Sequence, residues 1–231
     1  MSLFETKNPF LTDPLDVPVA GSGFINFLQT IVIALAIVVI LYLFIITPNE
    51  VKGESMRETL QDHDILLTNK LVQIFGGANS PLYKVFGDYE RGDIITFHLS
   101  STTQEEDLIK RIVALPGDKV MIQDGLLYVN GDKVIENYLA DGTFRNEIIG
   151  VSSKTVNNKD KTYLPNTSTL IEGKESTVPP NSYFVMGDNR GNSRDSRYSD
   201  IGFVLRKSLK GKVFFRIFPL DKLGILNNPF K

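Results

Sequence analysis

An uncharged apolar segment near the N-terminus constrains this chain more than any other feature. It runs from Phe24 to Ile46 without an acidic or basic residue. As a helix that rises ~1.5 Å per residue, it is long enough to cross the hydrocarbon core of a bilayer, which is about 30 Å thick. No small-x-small cleavage site follows, so a removable signal peptide fits less well. The sequence therefore predicts an N-terminal tail (1–23) and a transmembrane anchor (24–47).

The residues after the apolar segment bear on where the helix ends and how it is oriented. Proline cannot continue a helix, so Thr47-Pro48-Asn49 is predicted to end it. Lys7 is the only basic residue before the segment, whereas Lys52 and Arg57 follow it closely. By the positive-inside rule, this distribution weakly favours a cytoplasmic C-terminal part.

Composition limits the kinds of site that the rest of the chain can carry. About 185 residues follow the segment, enough for one domain with a hydrophobic core. The chain has no cysteine, which excludes disulfides, thiol catalysis and cysteine-ligated zinc, and its two histidines argue against a His-rich metal site. A formal net charge of −2 gives no reason to expect nucleic-acid binding.

Patterns typical of β-strands dominate the sequence after the apolar segment. Asp124-Gly125 and Asn130-Gly131 separate short apolar runs and predict hairpin turns. Residues 137–180 are polar and irregular, and we interpret them as an elaboration on the core. We therefore expect a mainly antiparallel β-domain over residues 48–231. Its predicted strands are 65–68, 94–97, 108–115, 120–122, 126–129, 133–135, 183–186 and 213–217.

A serine just past the segment, Ser55, is a candidate nucleophile. A serine hydroxyl needs a neighbouring base, and histidine is the usual one. His63 lies in a polar turn and His98 at the end of a strand, and no pattern directs either of them towards Ser55. A Ser-His-Asp triad is therefore the weaker alternative.

Lys110 is the other candidate base. Strand alternation places it on one face with the apolar Leu108, Ile112 and Ala114, where burial would lower its pKa from ~10.4 towards neutrality. Lowering a pKa by ~3 units costs about 4 kcal/mol. The competing interpretation is an edge strand whose Lys110 and Arg111 side chains extend to water.

Two further stretches each allow two interpretations. The stretch from Gly187 to Arg197 is dense in hydrogen-bonding groups, which fits either a polar surface loop or a network that orients the base. The stretch from Leu71 to Phe86 is apolar and contains glycine. It is either a loop with a few core side chains or a segment that dips into a lipid surface.

Four stretches resemble, in order, the motifs of the type I signal peptidases, which are membrane-anchored Ser/Lys proteases that remove signal peptides from exported proteins. Four motifs in order behind an apolar segment form a specific pattern, and the resemblance covers roughly residues 25–220. The stretches are Ser55-Met56 with Thr59-Leu60, Arg91-Gly92-Asp93-Ile94, Lys110-Arg111 with Leu115-Pro116-Gly117-Asp118, and Gly187-Asp188-Asn189-Arg190 with Ser193, Asp195, Ser196 and Arg197.

The resemblance implies a role for individual residues. Ser55 would be the nucleophile and its backbone N–H an oxyanion donor, while Lys110 would be the general base. Ser193 would hydrogen-bond the Lys110 amine and aim it at Ser55. Asp195 and Arg197 would hold the loop that carries Ser193. No metal or cofactor is implied.

The chain departs from the family pattern at two positions. Gly53 stands where one branch of the family has a serine that donates to the oxyanion, which leaves the second donor open. Glu58 stands where the family often has a proline, and this change would make the turn after Ser55 less rigid.

The resemblance also implies the fold, the partners and the location. The fold would be an antiparallel β-domain with a β-ribbon and cap insertion over about residues 123–180. The catalytic domain would lie outside the cytoplasmic membrane, an implication that we place above the charge rule. Exported preproteins would bind as an added strand in an apolar groove, with small side chains of Ala-x-Ala type in its pockets. We expect a monomer in contact with membrane lipid.

Two other functions compete with this one. A self-cleaving Ser/Lys repressor shares this kind of catalytic core, but it would need a DNA-binding domain in place of the apolar segment. A membrane-anchored β-domain that only binds partners would have no reason to keep Ser55 beside a lysine of lowered pKa.

Overall fold

The chain divides into an N-terminal unit, residues 1–43, and a C-terminal unit, residues 44–231. The computed structural model describes residues 22–40, 42, 45–57, 59–77, 80–100, 105–139, 170, 173–198 and 200–231. The predicted N-terminal tail up to residue 21, Glu58 and most of the predicted cap insertion therefore lie outside the described residues.

The N-terminal unit contains helix α1 (Ser22–Ile40). Over Gly23–Ile40 its mean hydropathy is 2.4 and none of the stretch is buried. Within the described residues it is the one helix that is long and apolar enough to cross a membrane. By length and composition it is compatible with the predicted anchor.

The helical conformation ends before Thr47-Pro48-Asn49. Helix α1 covers Ser22–Ile40, Tyr42 and Ile45 are π-helical, and strand β1 (Ile46–Glu50) contains the three residues that were predicted to end the helix. β1 lies at one edge of a sheet, where a proline without an N–H is tolerated. The Asn49 side chain also donates a hydrogen bond to Thr68 Oγ1 at 2.8 Å, which ties β1 to the neighbouring strand.

Eleven further strands and two short α-helices follow in the described part of the C-terminal unit. In chain order they are β2 (Ile65–Asn69), α2 (Leu71–Phe75), α3 (Tyr83–Phe86), β3 (Ile94–Ser100), β4 (Glu105–Ala114), β5 (Lys119–Gln123), β6 (Leu126–Val129), β7 (Asp132–Lys133), β8 (Ser176–Thr177), β9 (Ser182–Met186), β10 (Val204–Leu205), β11 (Leu209–Phe218) and β12 (Gly224–Ile225). The mainly antiparallel β prediction is confirmed, since every described strand pair is antiparallel.

The larger sheet brings together strands that are far apart in the sequence. Its order is β1-β2-β11-β3-β4-β9-β10, and β12 pairs with β11. β4 pairs with β3 from Glu105 to Arg111, but β9 joins its other edge only from Arg111 onwards. The first half of β4, which carries Lys110, therefore has one open edge in the described structure.

The smaller sheet has the order β7-β6-β5-β8. Asp124-Gly125 joins β5 to β6 and Asn130-Gly131 joins β6 to β7, as the sequence predicted. All four turn residues have positive φ, with values of 51°, 71°, 56° and 87°, which is the conformation of a type I′ turn. The β-ribbon part of the predicted insertion thus corresponds to a described sheet, while the cap stays a prediction.

Apolar side chains hold these elements in place from both ends of the larger sheet. One cluster lies beneath the turn that follows β1 and joins that turn to β2 through Met56, Leu60 and Leu66, which are almost completely buried. Two more clusters fill the space around β9 and β5 and around β3, β4 and β9. The turn that follows β1 is therefore anchored to the hydrophobic core through Met56 and Leu60.

Candidate active site

Ser55 and Lys110 come together although they are 55 positions apart in the sequence. Ser55 lies in the turn after β1, and Lys110 lies in β4. The Lys110 Nζ donates to Ser55 Oγ at 2.8 Å and to the Ile109 carbonyl at 3.0 Å. Lys110 is 2% exposed, so its side chain does not extend to water as the edge-strand interpretation required.

Burial sets the charge state of this lysine. Loss of solvation lowers the pKa of Lys110 to about 8, and the carboxylates of Asp195, Glu106 and Asp188 oppose that effect. About a tenth of the amine is therefore neutral at pH 7, and this neutral form can accept a proton. This is the property that a general base needs.

The turn around Ser55 is fixed by hydrogen bonds from Asn189. The Asn189 backbone N–H donates to the Ser55 carbonyl at 3.0 Å, and its side-chain amide donates to the Glu54 carbonyl at 3.0 Å. The Arg57 N–H also donates to the Glu54 carbonyl, at 3.1 Å. Because a trans peptide is planar, fixing the Glu54 C=O on one side directs the Ser55 N–H to the other.

The Ser55 N–H is the candidate oxyanion donor. Within the described residues it has no hydrogen-bond acceptor, so it is available to a substrate. Gly53 has a φ of 83°, in the left-handed region that favours glycine, and its N–H donates to Asp62 Oδ1 at 2.7 Å. A serine at this position would strain the backbone.

Ser193 differs from the expectation drawn from the resemblance. Among the described residues no hydrogen bond joins Ser193 to Lys110, whose amine donates to Ser55 and to the Ile109 carbonyl. The Ser193 Oγ is buried and has no hydrogen-bond partner among the described residues. It lies against Gly187, where a Cβ would collide with both Ser193 Oγ and the Ser55 carbonyl. A role for this hydroxyl remains a proposal.

Asp195 and Arg197 form a buried pair in the same loop. Arg197 Nε lies 2.8 Å from one Asp195 carboxylate oxygen, and a terminal nitrogen lies 2.9 Å from the other. The Gly187 N–H donates to Asp195 at 2.9 Å, and Arg197 also donates to the Arg190 carbonyl at 2.8 Å. This pair connects the two ends of the loop that carries Ser193.

Arg111 and Asp188 form a second buried pair, which sequence reasoning missed. Their side chains are 1% and 0% exposed and meet through two hydrogen bonds of 2.9 and 2.6 Å. Asp188 also accepts a hydrogen bond from Thr59 at 2.6 Å, and Arg111 donates to the Gly92 carbonyl at 2.7 Å. The pair therefore joins β4 to the turns around Ser55 and Gly92. The sequence indicated this pair only through the position of Arg111, which directly follows Lys110 on a strand rich in apolar residues.

The role of Tyr138 was not predicted from the sequence either. It belongs to the stretch that the sequence suggested was an elaboration on the core. Its ring centroid lies 4.7 Å from the Arg111 guanidinium, and its hydroxyl accepts a hydrogen bond from Arg190 at 2.9 Å. The residues just after β7 thus support the same network.

An open cleft of about 660 Å³ lies beside Ser55 and Lys110. The groove expected from the resemblance was apolar, but the walls are mixed. The apolar lining residues are Val51, Met56, Leu108 and Ile109, and the charged or titratable ones are Glu50, Lys52, His98, Glu106, Asp107, Lys110 and Lys210. The open edge of β4 forms part of one wall.

Neither histidine is placed to serve Ser55. His63 has φ 66°, is exposed, and pairs with Glu50 at 2.7 Å, an interaction that raises its pKa. His98 lines the cleft but pairs with Asp107 at 3.0 Å. In the described part of the chain, no group of three His, Asp or Glu side chains could hold a metal ion. The geometry thus favours the lysine over a Ser-His-Asp triad.

A serine hydroxyl that accepts a hydrogen bond from a buried lysine, beside an open cleft, is an arrangement suited to a serine hydrolase with a lysine base. The family model described as "Signal peptidase, peptidase S26" matches residues 24–218, and the chain belongs to this family.

Similar proteins carry the name signal peptidase. The chain is 32% identical over 202 residues to "Signal peptidase I" of Bacillus amyloliquefaciens, covering 87% of this chain and 92% of that protein. It is 34% identical over 205 residues to "Signal peptidase IB" of Staphylococcus aureus strain MRSA252, covering 89% and 95%. A crystal structure of a signal peptidase I from Enterococcus faecalis V583 matches 54% of this chain and 96% of that chain, at 38% identity and a TM-score of 0.37.

The family model and the two signal peptidase relatives confirm the resemblance that the four motifs carried. The chain is an enzyme of the signal peptidase I type, a serine peptidase, and its apolar helix is compatible with a membrane-anchored protein. They leave no support for the repressor or for the β-domain that only binds partners.

Proposed function

We propose that this protein removes signal peptides from exported preproteins at a membrane surface, with Ser55 as nucleophile and Lys110 as general base. The observation that carries the proposal is the 2.8 Å hydrogen bond between the Lys110 amine and the Ser55 hydroxyl. The lowered pKa of Lys110, to about 8, supports it because a neutral amine can take the hydroxyl proton.

The reaction would proceed through an acyl-enzyme. Neutral Lys110 takes the proton of Ser55 as the Oγ attacks the scissile carbonyl, and the Ser55 N–H donates to the oxyanion that forms. Lys110 then gives the proton to the leaving amine, which is the new N-terminus of the mature protein. A water that Lys110 deprotonates hydrolyses the ester and releases the signal peptide, restoring Ser55.

The substrate would bind as an extended strand along the open edge of β4. Residues 106–110 of this edge are not paired with β9, and all five line the cleft. A peptide that adds to such an edge gains main-chain hydrogen bonds, and the pockets between strands select alternate side chains. We expect these pockets to take small residues of the Ala-x-Ala type, as the family resemblance implies.

Helix α1 supports the proposed location. Its length and hydropathy support insertion into the cytoplasmic membrane as a single span. We place the catalytic unit on the extracytoplasmic side, as in the family, and we expect a monomer. Neither a cofactor nor a nucleic-acid partner is part of the proposal.

Mass spectrometry of the products tests the substrate class. The full chain is reconstituted in lipid with a preprotein whose signal peptide ends in Ala-x-Ala, and with the same preprotein carrying Phe at the last position. We expect one cut after the small residue in the first preprotein and none in the second. A cut elsewhere, or equal cutting of both, would show that the proposed specificity is wrong.

A further inference from the structure

Residues 224–231, which we call the C-terminal segment, pack against the turn that precedes β3. The segment begins as β12, which pairs with β11. It then crosses to the turn at Arg91-Gly92-Asp93, one of the four motif stretches. Lys231 forms an ion pair with Glu90, just before that turn. The proposed mechanism has so far given this segment no part.

Asn228 joins the segment to both ends of the turn. Its side-chain amide donates to the Arg91 carbonyl at 2.9 Å and to the Asp93 carboxylate at 3.0 Å. Its side-chain oxygen accepts a hydrogen bond from the Phe230 N–H at 2.9 Å. One side chain therefore fixes the turn and also sets the position of Phe230.

Gly92 leaves room for this contact. Its φ is 92°, and a Cβ built there would collide with the side chains of Asn228 and Phe230. Gly131 has a similar φ of 87°, but a Cβ there would meet nothing within 4 Å. Positive φ alone favours glycine at both positions, and the C-terminal segment adds a second requirement at Gly92.

Two groups that the segment touches also hold the Arg111 guanidinium. The Gly92 carbonyl accepts a hydrogen bond from Arg111 at 2.7 Å. The Phe230 and Tyr138 rings pack edge to face with their centroids 5.7 Å apart, and the Tyr138 ring centroid lies 4.7 Å from the same guanidinium. A carbonyl and an aromatic face both attract a buried cation, so the segment supports two of the contacts that position Arg111.

Arg111 lies between the two halves of the catalytic pair. It directly follows Lys110 in β4, and it donates to Asp188 at 2.9 and 2.6 Å. Asp188 precedes Asn189, whose side chain and N–H fix the turn around Ser55. A shift of the guanidinium would therefore disturb the strand of Lys110 and the turn of Ser55 together.

We propose that Asn228 and Phe230 are positioning residues for catalysis by the Ser55–Lys110 pair. They act by holding the partners of Arg111 and touch neither the substrate nor the reacting atoms. This inference rests on the proposed function, because it assigns both residues to the same reaction. Neither residue lines the cleft, so their removal should slow the chemical step and leave substrate binding unchanged.

Asn228→Ala and Phe230→Ala test the inference in the full chain. Asn227→Ala is the matched control, since Asn227 is the exposed neighbour of Asn228. We measure kcat and KM for cleavage of a preprotein at a temperature where circular dichroism shows every variant to be folded. In both test variants kcat should fall about tenfold while KM stays unchanged, because small displacements of reacting groups are costly. Asn227→Ala should match wild type.

A purely structural role gives a different result. It would lower the unfolding temperature of Asn228→Ala and Phe230→Ala but leave kcat of the folded enzyme at the wild-type value. That outcome would overturn the inference.

Two further variants test the route through Tyr138. Phe230→Tyr keeps the aromatic ring and should recover most of the kcat that Phe230→Ala loses. In a Tyr138→Leu background, Phe230→Ala should cost less than in wild type, because the two rings share one route to Arg111. Equal losses in both backgrounds, or no recovery in Phe230→Tyr, would contradict the proposed positioning role.

The wild-type protein separates this inference from the proposed function. If wild type cuts the preprotein and both alanine variants keep full kcat, the positioning role alone is overturned. If wild type does not cut, the proposed function is refuted, and this inference with it.

Discussion

The rate of cleavage should follow the deprotonation of Lys110. With a pKa of about 8, the neutral fraction of this amine is about 1% near pH 6 and about 90% near pH 9, so kcat/KM should rise roughly 100-fold across that range and then level off. An exposed lysine with its usual pKa would still be gaining roughly tenfold per pH unit near pH 9. The position of the plateau therefore reports the burial of Lys110.

The assay is initial-rate cleavage of a preprotein or peptide between about pH 6 and 10. The variant Glu106→Gln provides a second test. The Glu106 carboxylate raises the pKa of Lys110, so its removal should move the inflection of the pH profile to lower pH. A flat profile would refute the assignment of Lys110 as the base, and a profile that keeps rising to pH 10 without a plateau would refute its lowered pKa.

The same burial makes a prediction about stability. Holding the pKa of Lys110 near 8 in the folded protein disfavours its charged form by about 3 kcal/mol, so Lys110→Met should be inactive yet more stable at pH 7 by up to that amount. The difference should shrink as the pH rises from about 8 towards 10.5, where the lysine of the unfolded chain also becomes neutral. Urea unfolding of both proteins measures it, and a less stable Lys110→Met would contradict the argument.

Three further substitutions test the supporting network. Asp188→Ala leaves the Arg111 guanidinium buried without its partner and should cost about 3–5 kcal/mol in urea unfolding; an unchanged midpoint would contradict this. Asn189→Ala frees the peptide before the nucleophile, so kcat should fall by about 10- to 100-fold while KM and the pH inflection stay unchanged. Gly187→Ala should reduce activity by at least as much because its Cβ has no room, whereas Gly224→Ala, where a Cβ meets nothing within 4 Å, should be neutral.

Local sequence patterns predicted most of the β-domain. The hairpin turns at Asp124-Gly125 and Asn130-Gly131 could be predicted from the sequence because only a few residue pairs tolerate two successive positive φ angles. Strand alternation likewise placed Lys110 among apolar neighbours, and the structure buries it. In both cases the information lies within ten residues of sequence.

The features that the sequence did not reveal depend on contacts between distant segments. β1 forms although it contains Pro48, because pairing with β2 at a sheet edge outweighs the local preference to break. Asn189 contacts Glu54 across 135 positions, and Arg111 contacts Asp188 across 77, so no local pattern could assign their bonds. The motifs indicated that these residues mattered, but their partners are fixed only by the order of strands in the sheet.

Cleavage of a membrane-inserted preprotein by wild type, Ser55→Ala and Lys110→Arg, in one lipid preparation, tests the central claim most directly. Wild type should cut. Ser55→Ala lacks the nucleophile, and Lys110→Arg keeps the charge but cannot act as a base near neutral pH, so neither variant should cut although both remain folded. Cleavage at the wild-type rate by either variant would contradict the proposed Ser55–Lys110 mechanism.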